Sequence, residues 1–227
     1  MQKLSIDWVV FDVGETLINE QRMWLGWADW LVVPRAEFIE ALQGVIARRV
    51  HHRRVFEMLR PGFDFAAEAA RRTLAQGNVE FTETDLFADV RPCFATLNAM
   101  GLKIGIVGNT SLATEAMLQT ARLDADFISS SGRWAVEKPA NAFFTKVAEA
   151  ASCPPNRIAY VGDRIDNDVI PAINADLHGI FLRRGYWGKC HAGWPEVSAV
   201  RHVIDGLDEL PALLRHLGRF ASANAPR

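Results

Sequence analysis

The sequence contains few cysteines and no long apolar run. Its three cysteines, at positions 93, 153 and 190, are far apart and form no CxxC pair. This spacing argues against a disulfide framework or a zinc site and favours a reducing compartment. No stretch approaches the ~20 apolar residues that span a bilayer, and the first residues lack the regions of a signal peptide. We therefore expect a cytoplasmic protein with no membrane partner.

The sequence also has no excess of charge of one sign. It carries 25 lysines and arginines against 27 aspartates and glutamates, and its net charge is −2. A nucleic-acid partner is therefore not expected, because such binding relies on a basic surface. With 49% hydrophobic residues in 227, the chain can form one good-sized domain, or one domain with an insertion. Both a monomer and a homodimer remain open.

Short apolar runs rich in valine and isoleucine predict buried parallel strands. These runs cover residues 6–11, 102–107, 157–161 and 179–182, with a further strand at 127–129. Helical patterns at 113–121 and 142–151 lie between them. Strands that alternate with helices predict an α/β fold, in which a doubly wound, mainly parallel sheet has helices on both faces.

Residues 19–85 interrupt this alternation. They show helical patterns, such as 36–50 and 65–74, and no convincing strand. Pro34, Pro61-Gly62 and Gly77-Asn78 separate the helical stretches. This segment is predicted to be an all-helical insertion directly after the first strand, with hinges near 18–20 and 84–88 that let it close over a site.

Polar residues follow the predicted strands at the edge where open α/β sheets bind their ligands. They are residues 12–16, residues 108–111, Lys138, and Asp163 with Asp166 and Asp168. Carboxylates suit Mg²⁺, which binds one or two of them together with water and substrate phosphate. A lysine adds positive charge, so the set can stabilise a phosphoryl group during transfer.

Four pieces of the sequence, in this order, resemble the motifs of the haloacid dehalogenase-like (HAD) hydrolase superfamily: FDVGETL, KIGIVGNTS, EKPANAFF and YVGDRIDNDVIPA. The fourth piece is the most specific. The resemblance covers the whole chain, because residues 19–85 lie where that family inserts its helical C1-type cap. It implies a Rossmann-like core formed by residues 1–18 and 86–227, a cap formed by residues 19–85, and hydrolase activity on a small phosphorylated molecule.

The resemblance also implies which residues act on the substrate. Asp12 matches the nucleophile that forms an aspartyl intermediate. Lys138 matches the lysine that holds the nucleophile and the phosphate. Asn109 lies in the loop of the second motif and, with Thr110, is expected to bind phosphate.

A Mg²⁺ site is implied by the same motifs. Its ligands would be Asp12, the backbone carbonyl of Gly14 and Asp163, with Asp168 bound directly or through water. Asp166 is predicted to cap the helix that begins at residues 167–168, and a functional role for Asp166 is left open.

Two positions depart from the family pattern. The second aspartate of the first motif, which protonates the leaving group and activates water in phosphatases, falls on Gly14 and not on Glu15. Glu15 reaches the site only if the turn is unusual. The serine or threonine of the second motif falls on Gly108, which leaves Thr110 or Ser111 to compensate. General acid–base help is worth roughly 10²–10⁴-fold, so a slow or substrate-restricted enzyme is expected, and Gly14→Asp is expected to raise turnover.

Two groups of side chains stand out in the insertion. Tryptophans recur at helical spacing at positions 24, 27 and 30 (Trp24, Trp27 and Trp30). This pattern predicts that they form the apolar core of the insertion or its contact with the rest of the protein. The run His51-His52-Arg53-Arg54 is predicted to be a solvated helix face, with recognition of an anionic substrate as the alternative.

The resemblance suggests four functions, of which the third is set aside for want of a required residue. A Mg²⁺-dependent phosphatase is favoured, because the acidic fourth motif requires a cation. A haloacid dehalogenase also lacks the second aspartate, but its fourth motif is poor in acid. Chemistry like that of phosphonoacetaldehyde hydrolase needs a lysine in the cap for a Schiff base, and residues 19–85 contain none. A catalytically degenerate binding protein is the fourth possibility.

Overall fold

The computed structural model describes residues 6–77 and 81–222. They contain a six-stranded sheet in which every pair of neighbouring strands is parallel. The strands are β1 (Trp8–Phe11), β2 (Lys103–Gly108), β3 (Phe127–Ser130), β4 (Ile158–Gly162), β5 (His178–Leu182) and β6 (His202–Ile204). Their order in the sheet is β3-β2-β1-β4-β5-β6. This is the doubly wound α/β fold that the sequence predicts.

The helices fall into two groups along the chain. Between β1 and β2 lie α1 (Gln21–Leu31), α2 (Arg35–Ala47), α3 (Arg54–Leu59), α4 (Phe65–Gln76) and α5 (Val90–Ala99). The later helices are α6 (Leu112–Thr120), α7 (Ser131–Trp134), α8 (Asn141–Ala151), α9 (Ile170–Asn174), α10 (Gly185–His191) and α11 (Leu210–Ser222). Within the described residues, no helix is long and apolar enough to cross a membrane.

Both faces of the sheet are buried, because successive residues of each strand point to opposite sides. In β1, Val9 and Phe11 pack into an apolar cluster with α5 and α11. Trp8 and Val10 pack into a second cluster with α8. Strands buried on both faces read as continuous apolar runs, which is why the four main strands can be found from the sequence.

Helices α1 to α4 form an apolar cluster of their own. It contains Trp24 and Trp27, as predicted, and it extends to Trp187 of α10. Trp30 is half-buried, and its indole donates a hydrogen bond to Glu68 at 3.0 Å. The insertion therefore packs on the rest of the protein through α10.

The two connections of the insertion run side by side. Ile18 and Leu86 form an antiparallel bridge, and the Asn19 amide donates to the Asp85 carbonyl at 2.8 Å. The Arg22 guanidinium also pairs with the carboxylate of Asp85. The predicted hinges therefore lie next to each other, and their opening motion stays a prediction.

Candidate active site

Three carboxylates converge at the carboxyl edge of the sheet. Asp12 directly follows β1 and Asp163 directly follows β4, and these two strands are neighbours. Asp168 lies in a π-helical turn, Ile165–Val169, after β4. One carboxylate oxygen from each of the three lies within 4.8 Å of the others, and all three side chains are buried.

The turn after β4 places Asp168 through two bonds with one residue. The Asp168 amide donates to the Arg164 carbonyl at 2.9 Å, and the Arg164 amide donates to Asp168 Oδ2 at 3.0 Å. The predicted capping role of Asp166 is wrong. Its carboxylate accepts two bonds from the Arg164 guanidinium, at 3.0 and 2.9 Å, and such a bidentate charged pair is stronger than a capping bond.

Lys138 lies between two of these carboxylates. Its buried ammonium donates to Asp12 Oδ1 and, at 2.5 Å, to Asp168 Oδ1. Burial alone would lower the pKa of Lys138. The negative charges of Asp12 and Asp168 outweigh that effect and raise this pKa well above its usual value. The lysine is therefore a fixed positive charge.

Three carboxylates lie around a single ammonium group, that of Lys138. Burial raises the pKa of Asp163 well above its usual value, and the charges of Asp168 and Asp12 raise it further. Burial also raises the pKa of Asp168 to about 6, although Lys138 opposes this. Within the described residues, Asp163 Oδ2 is buried and has no hydrogen-bond partner. A divalent cation with oxygen ligands fits this set, because it would satisfy that oxygen and the excess negative charge.

The loop after β2 holds the lysine in place. The Asn109 amide nitrogen donates to the Lys138 carbonyl at 2.9 Å, and its amide oxygen accepts from the Lys138 backbone N–H at 2.8 Å. Ser111 caps α6 by accepting from the Thr114 amide at 3.1 Å. The buried hydroxyl of Thr110 has no hydrogen-bond partner in the described part of the chain. Among these loop residues, Thr110 is therefore the one whose hydroxyl remains available to donate a hydrogen bond.

Gly108 ends β2 directly beside the carboxylate of Asp12. A Cβ atom at this position would lie 2.7 Å from Asp12 Oδ1 and 3.1 Å from Val13 Cγ2. The space that a serine or threonine needs at this position is therefore already filled by Asp12. This explains the glycine in physical terms.

The turn after Asp12 is closed by one carbonyl. The oxygen of Val13 accepts bonds from the amides of Thr16, Leu17 and Ile18. Thr16 also directs its hydroxyl at Asp12 Oδ2, 3.4 Å away, and its carbonyl accepts from the guanidinium of Arg184. Arg184, which the chain places in a loop beside the site, thus supports the turn that carries Asp12.

Glu15 occupies a left-handed position in this turn, with φ of 52°. Its carboxylate packs against Gly185, at the start of α10, so closely that a Cβ atom there would collide with Glu15 Oε2. Burial raises the pKa of Glu15 to about 8, and the charge of Glu20 adds to the rise. No contact joins Glu15 to the three aspartates among the described hydrogen bonds.

Sequence reasoning missed Glu20, the residue before α1. A Cβ atom on Gly14 would collide with Glu20 Oε1 and would lie 3.1 Å from Glu20 Cδ. Burial raises the pKa of Glu20 to about 7, and the charge of Asp12 contributes. The expectation that Gly14→Asp alone raises turnover stays a prediction, and it requires the carboxylate of Glu20 to move from the space it fills. A glutamate at a predicted hinge, six residues after the position that lacks an acid, was the available signal.

A cavity of about 220 Å³ lies beside Arg164 and Asp166, in the turn that follows Asp163, and the three clustered aspartates are not among its lining residues. Its lining includes His51 and His52 of the insertion, and Arg164, Trp187 and His191 of the rest of the chain. Burial lowers the pKa of His52 to about 3 and that of His191 to about 4. The imidazoles of His52 and His191 are therefore neutral at neutral pH, and the charged side chains of Arg49, Arg164 and Asp166 complete the polar part of the lining.

The sequence matches a known family over most of its length. The sequence model of the haloacid dehalogenase-like hydrolases matches residues 6–176. The haloacid dehalogenase-like hydrolase domain-containing protein 3 of Danio rerio is 31% identical over 134 residues, which are 58% of this chain and 54% of the relative. The glyceraldehyde 3-phosphate phosphatase of Methanopyrus kandleri is 30% identical over 142 residues, 60% of each chain. The matches thus span between half and two thirds of these relatives.

Solved structures share the fold. A predicted phosphoglycolate phosphatase from Haemophilus somnus superposes with a TM-score of 0.67 at 15% identity, over 92% of this chain and 98% of the other. At this identity the superposition supports the architecture alone. Together, the parallel sheet, the four motifs at its edge and the match to the family's sequence model assign the chain to the haloacid dehalogenase-like hydrolases.

Proposed function

We propose that this hydrolase is a Mg²⁺-dependent phosphatase that acts on a small phosphorylated metabolite. The observation that carries the proposal is the set of three buried carboxylates around one shared ammonium. With all three ionised, the set has an excess of two negative charges, which matches a divalent cation. A relative that is 30% identical is a phosphatase, and this supports the same reaction type.

Oxygen ligands for the cation are available from residues close in space. Asp12, Asp163 and Asp168 supply carboxylates, and the Gly14 carbonyl lies in the same turn as Asp12. When bound, Mg²⁺ would neutralise charge on the phosphate and on the attacking carboxylate.

The chain itself supplies the nucleophile. An oxygen of Asp12 attacks phosphorus, the bond from phosphorus to the leaving oxygen breaks, and that oxygen takes a proton to depart as an alcohol. Water then attacks the aspartyl-phosphate and gives up a proton, so that inorganic phosphate leaves and Asp12 is regenerated. Lys138 keeps Asp12 oriented and adds positive charge, and the unused hydroxyl of Thr110 can donate to a phosphate oxygen.

We place the leaving group in the cavity beside Arg164 and Asp166, and the size of this cavity supports a small substrate. About 220 Å³ accommodates a leaving group of a few heavy atoms to one ring. Its aromatic lining favours an apolar or planar group over a second anion. The Arg49 guanidinium is already paired with Glu196 at 2.5 and 2.9 Å, and Arg164 is paired with Asp166, so neither is an open anion receptor.

A haloacid dehalogenase is the second candidate, because Gly14 carries no carboxylate. In that reaction Asp12 attacks carbon and displaces halide, and no cation is required. The buried oxygen of Asp163 has no hydrogen-bond partner among the described residues, and this argues against a dehalogenase, since without a cation this carboxyl group would have to stay protonated and unbonded.

A substrate panel separates the candidates. We expect Mg²⁺-dependent release of phosphate from small phosphate esters, loss of this activity on adding EDTA, and no halide release from 2-haloacids. Asp12→Asn and Asp163→Asn should abolish turnover. Asp124→Asn is the matched control, because Asp124 is exposed and precedes β3, at the opposite edge of the sheet from the cluster. Halide release without Mg²⁺ would favour the dehalogenase. Inactivity on both panels would favour a binding protein.

A further inference from the structure

The reaction described above needs an acid and a base that Gly14 does not provide. The leaving oxygen must gain a proton, and the attacking water must lose one. Lys138 is held by Asp12 and Asp168, and the aspartates form the proposed cation site. Glu15 Oε2 packs against Gly185, and its Oε1 is buried with no hydrogen-bond partner among the described residues, so Glu15 is tested separately below. Glu20 is the acidic side chain whose oxygen occupies the space beside Gly14.

The carboxylate of Glu20 occupies the space that a side chain at position 14 would fill. A Cβ atom built on Gly14 would collide with Glu20 Oε1. The distance from this Cβ position to Glu20 Oε1 is close to the distance between Cβ and a carboxylate oxygen within a single aspartate side chain, as calculated from ordinary bond lengths. Glu20 thus brings an oxygen to this space from the opposite side, with its Cδ 3.1 Å from the Cβ position.

The orientation of this carboxylate is fixed by a buried tryptophan. The Trp24 indole N–H donates to Glu20 Oε2 at 3.1 Å, one helical turn further along α1. Trp24 is 4% exposed and packs against Phe38 and Trp187. Because Oε2 is occupied, Oε1 is the oxygen directed at Gly14. A carboxylate held in this way keeps a defined position relative to Asp12.

We propose that Glu20 is the general acid and base of this enzyme, acting through Oε1 on the substrate held by Asp12. In the first step, protonated Glu20 gives its proton to the leaving oxygen as the phosphorus–oxygen bond breaks. In the second, ionised Glu20 takes a proton from the water that attacks the aspartyl-phosphate. The inference rests on the proposed phosphatase reaction. It also makes the insertion part of the catalytic machinery, since Glu20 leads directly into α1.

Leaving-group dependence tests this role. Glu20→Gln preserves the shape and the acceptor for Trp24 but removes the proton. We expect kcat on an alkyl phosphate to fall by roughly 10²–10⁴-fold. On para-nitrophenyl phosphate, whose leaving group needs no proton, phosphorylation of Asp12 should remain fast. The variant should then release about one equivalent of nitrophenol in a burst and accumulate a phosphorylated enzyme that mass spectrometry detects. Glu40→Gln, on the exposed side of α2, is the matched control.

Moving the carboxylate gives a second test. With Glu20 in this role, Gly14→Asp alone should lower turnover, because its side chain collides with Glu20. Gly14→Asp combined with Glu20→Ala should recover at least tenfold of the activity lost in Glu20→Ala, since one carboxylate again occupies the space. A purely structural role for Glu20 would not be restored by this exchange.

The outcomes separate the inference from the proposed function. Mg²⁺-dependent turnover that requires Asp12 but is unchanged in Glu20→Gln would overturn the inference alone. So would equal losses on both leaving groups without recovery in the double variant, or a leaving-group-dependent loss in Glu15→Gln instead. A wild-type protein inactive on every phosphate ester would overturn both.

Discussion

Replacing Lys138 with methionine removes the ammonium that Asp12 and Asp168 share while keeping a side chain of similar length. The lysine side chain is 2% exposed, and the two carboxylates it contacts are 9% and 0% exposed. Water therefore cannot take over the solvation of the carboxylates without a change in structure. We expect Lys138→Met to destabilise the metal-free protein as well as to inactivate it.

The size of this effect follows from the geometry. Breaking a buried ion pair by removing one partner costs about 3–5 kcal/mol, because an uncompensated charge remains. The two contacts of Lys138 belong to one network, so their costs do not simply add. Lys138 lowers the pKa of Asp168, which is about 6 in the wild type, so its removal raises that pKa, and protonation of Asp168 limits the penalty increasingly as the pH falls. We therefore expect a loss of about 3–5 kcal/mol at pH 8, a large share of the ~5–15 kcal/mol that stabilises most domains.

Urea unfolding followed by tryptophan fluorescence, in EDTA at pH 8, measures this loss. With a slope of ~2 kcal/mol per molar urea, the midpoint should fall by about 2 M. Lys146→Met, on half-buried Lys146 of α8, should stay within about 0.5 kcal/mol of the wild type. Adding Asp168→Asn to Lys138→Met should recover part of the loss. A loss below about 1 kcal/mol, or no recovery, would refute the assignment of Lys138 as the counter-ion of this cluster.

Three further perturbations test the site. Mg²⁺ at about 100 times its dissociation constant should stabilise the wild type by about 2.7 kcal/mol, and calorimetry should show little of this gain in Asp163→Asn. Gly108→Ser should cost about 1–3 kcal/mol and lower kcat, because its Cβ would lie 2.7 Å from Asp12 Oδ1; unchanged kinetics would contradict this. His191 is buried, accepts from the Ile165 amide at 3.1 Å and has a pKa of about 4. The pKa of histidine in an unfolded chain is about 6.5, so the unfolded protein binds a proton at this residue before the folded protein does. The free energy of unfolding should therefore fall as the pH drops from about 6.5 to about 4. In parallel urea titrations, this fall should be about 3 kcal/mol larger in the wild type than in His191→Asn.

The sequence predicts the strands and the edge of the sheet where the polar residues meet. The runs at 102–107 and 157–161 match β2 and β4 to within one residue at each end, because strands buried on both faces must be apolar throughout. The short strand β6 is not predicted, since a histidine followed by two apolar residues is too short to show the pattern of a strand. Its pairing with β5 is a tertiary contact, and no local pattern reports it.

The positions of individual carboxylates are harder to predict. Spacing alone makes Asp166 a capping residue, but the guanidinium of Arg164 folds back on it. The turn of residues 12–18 turns Glu15 toward α10, although it is adjacent in sequence to the position that needs an acid. Glu20 is further along the chain, yet its carboxylate reaches the space beside Gly14, because the antiparallel contacts of Ile18 and Asn19 set where α1 begins. Such placements depend on the packing of several elements at once.

The glycines of the site have a common physical explanation, which changes how the two departures from the family pattern are understood. At four positions a Cβ atom would press on the carboxylate of a residue elsewhere in the site: Gly14 on Glu20, Gly108 on Asp12, Gly162 on Asp168 and Gly185 on Glu15. Each glycine thus leaves a space that a carboxylate fills. If side chains had merely been lost, those spaces would be empty. At Gly14 the filled space argues that the carboxylate of Glu20 stands in for the missing acid, and the exchange of Gly14 and Glu20 can test that argument directly.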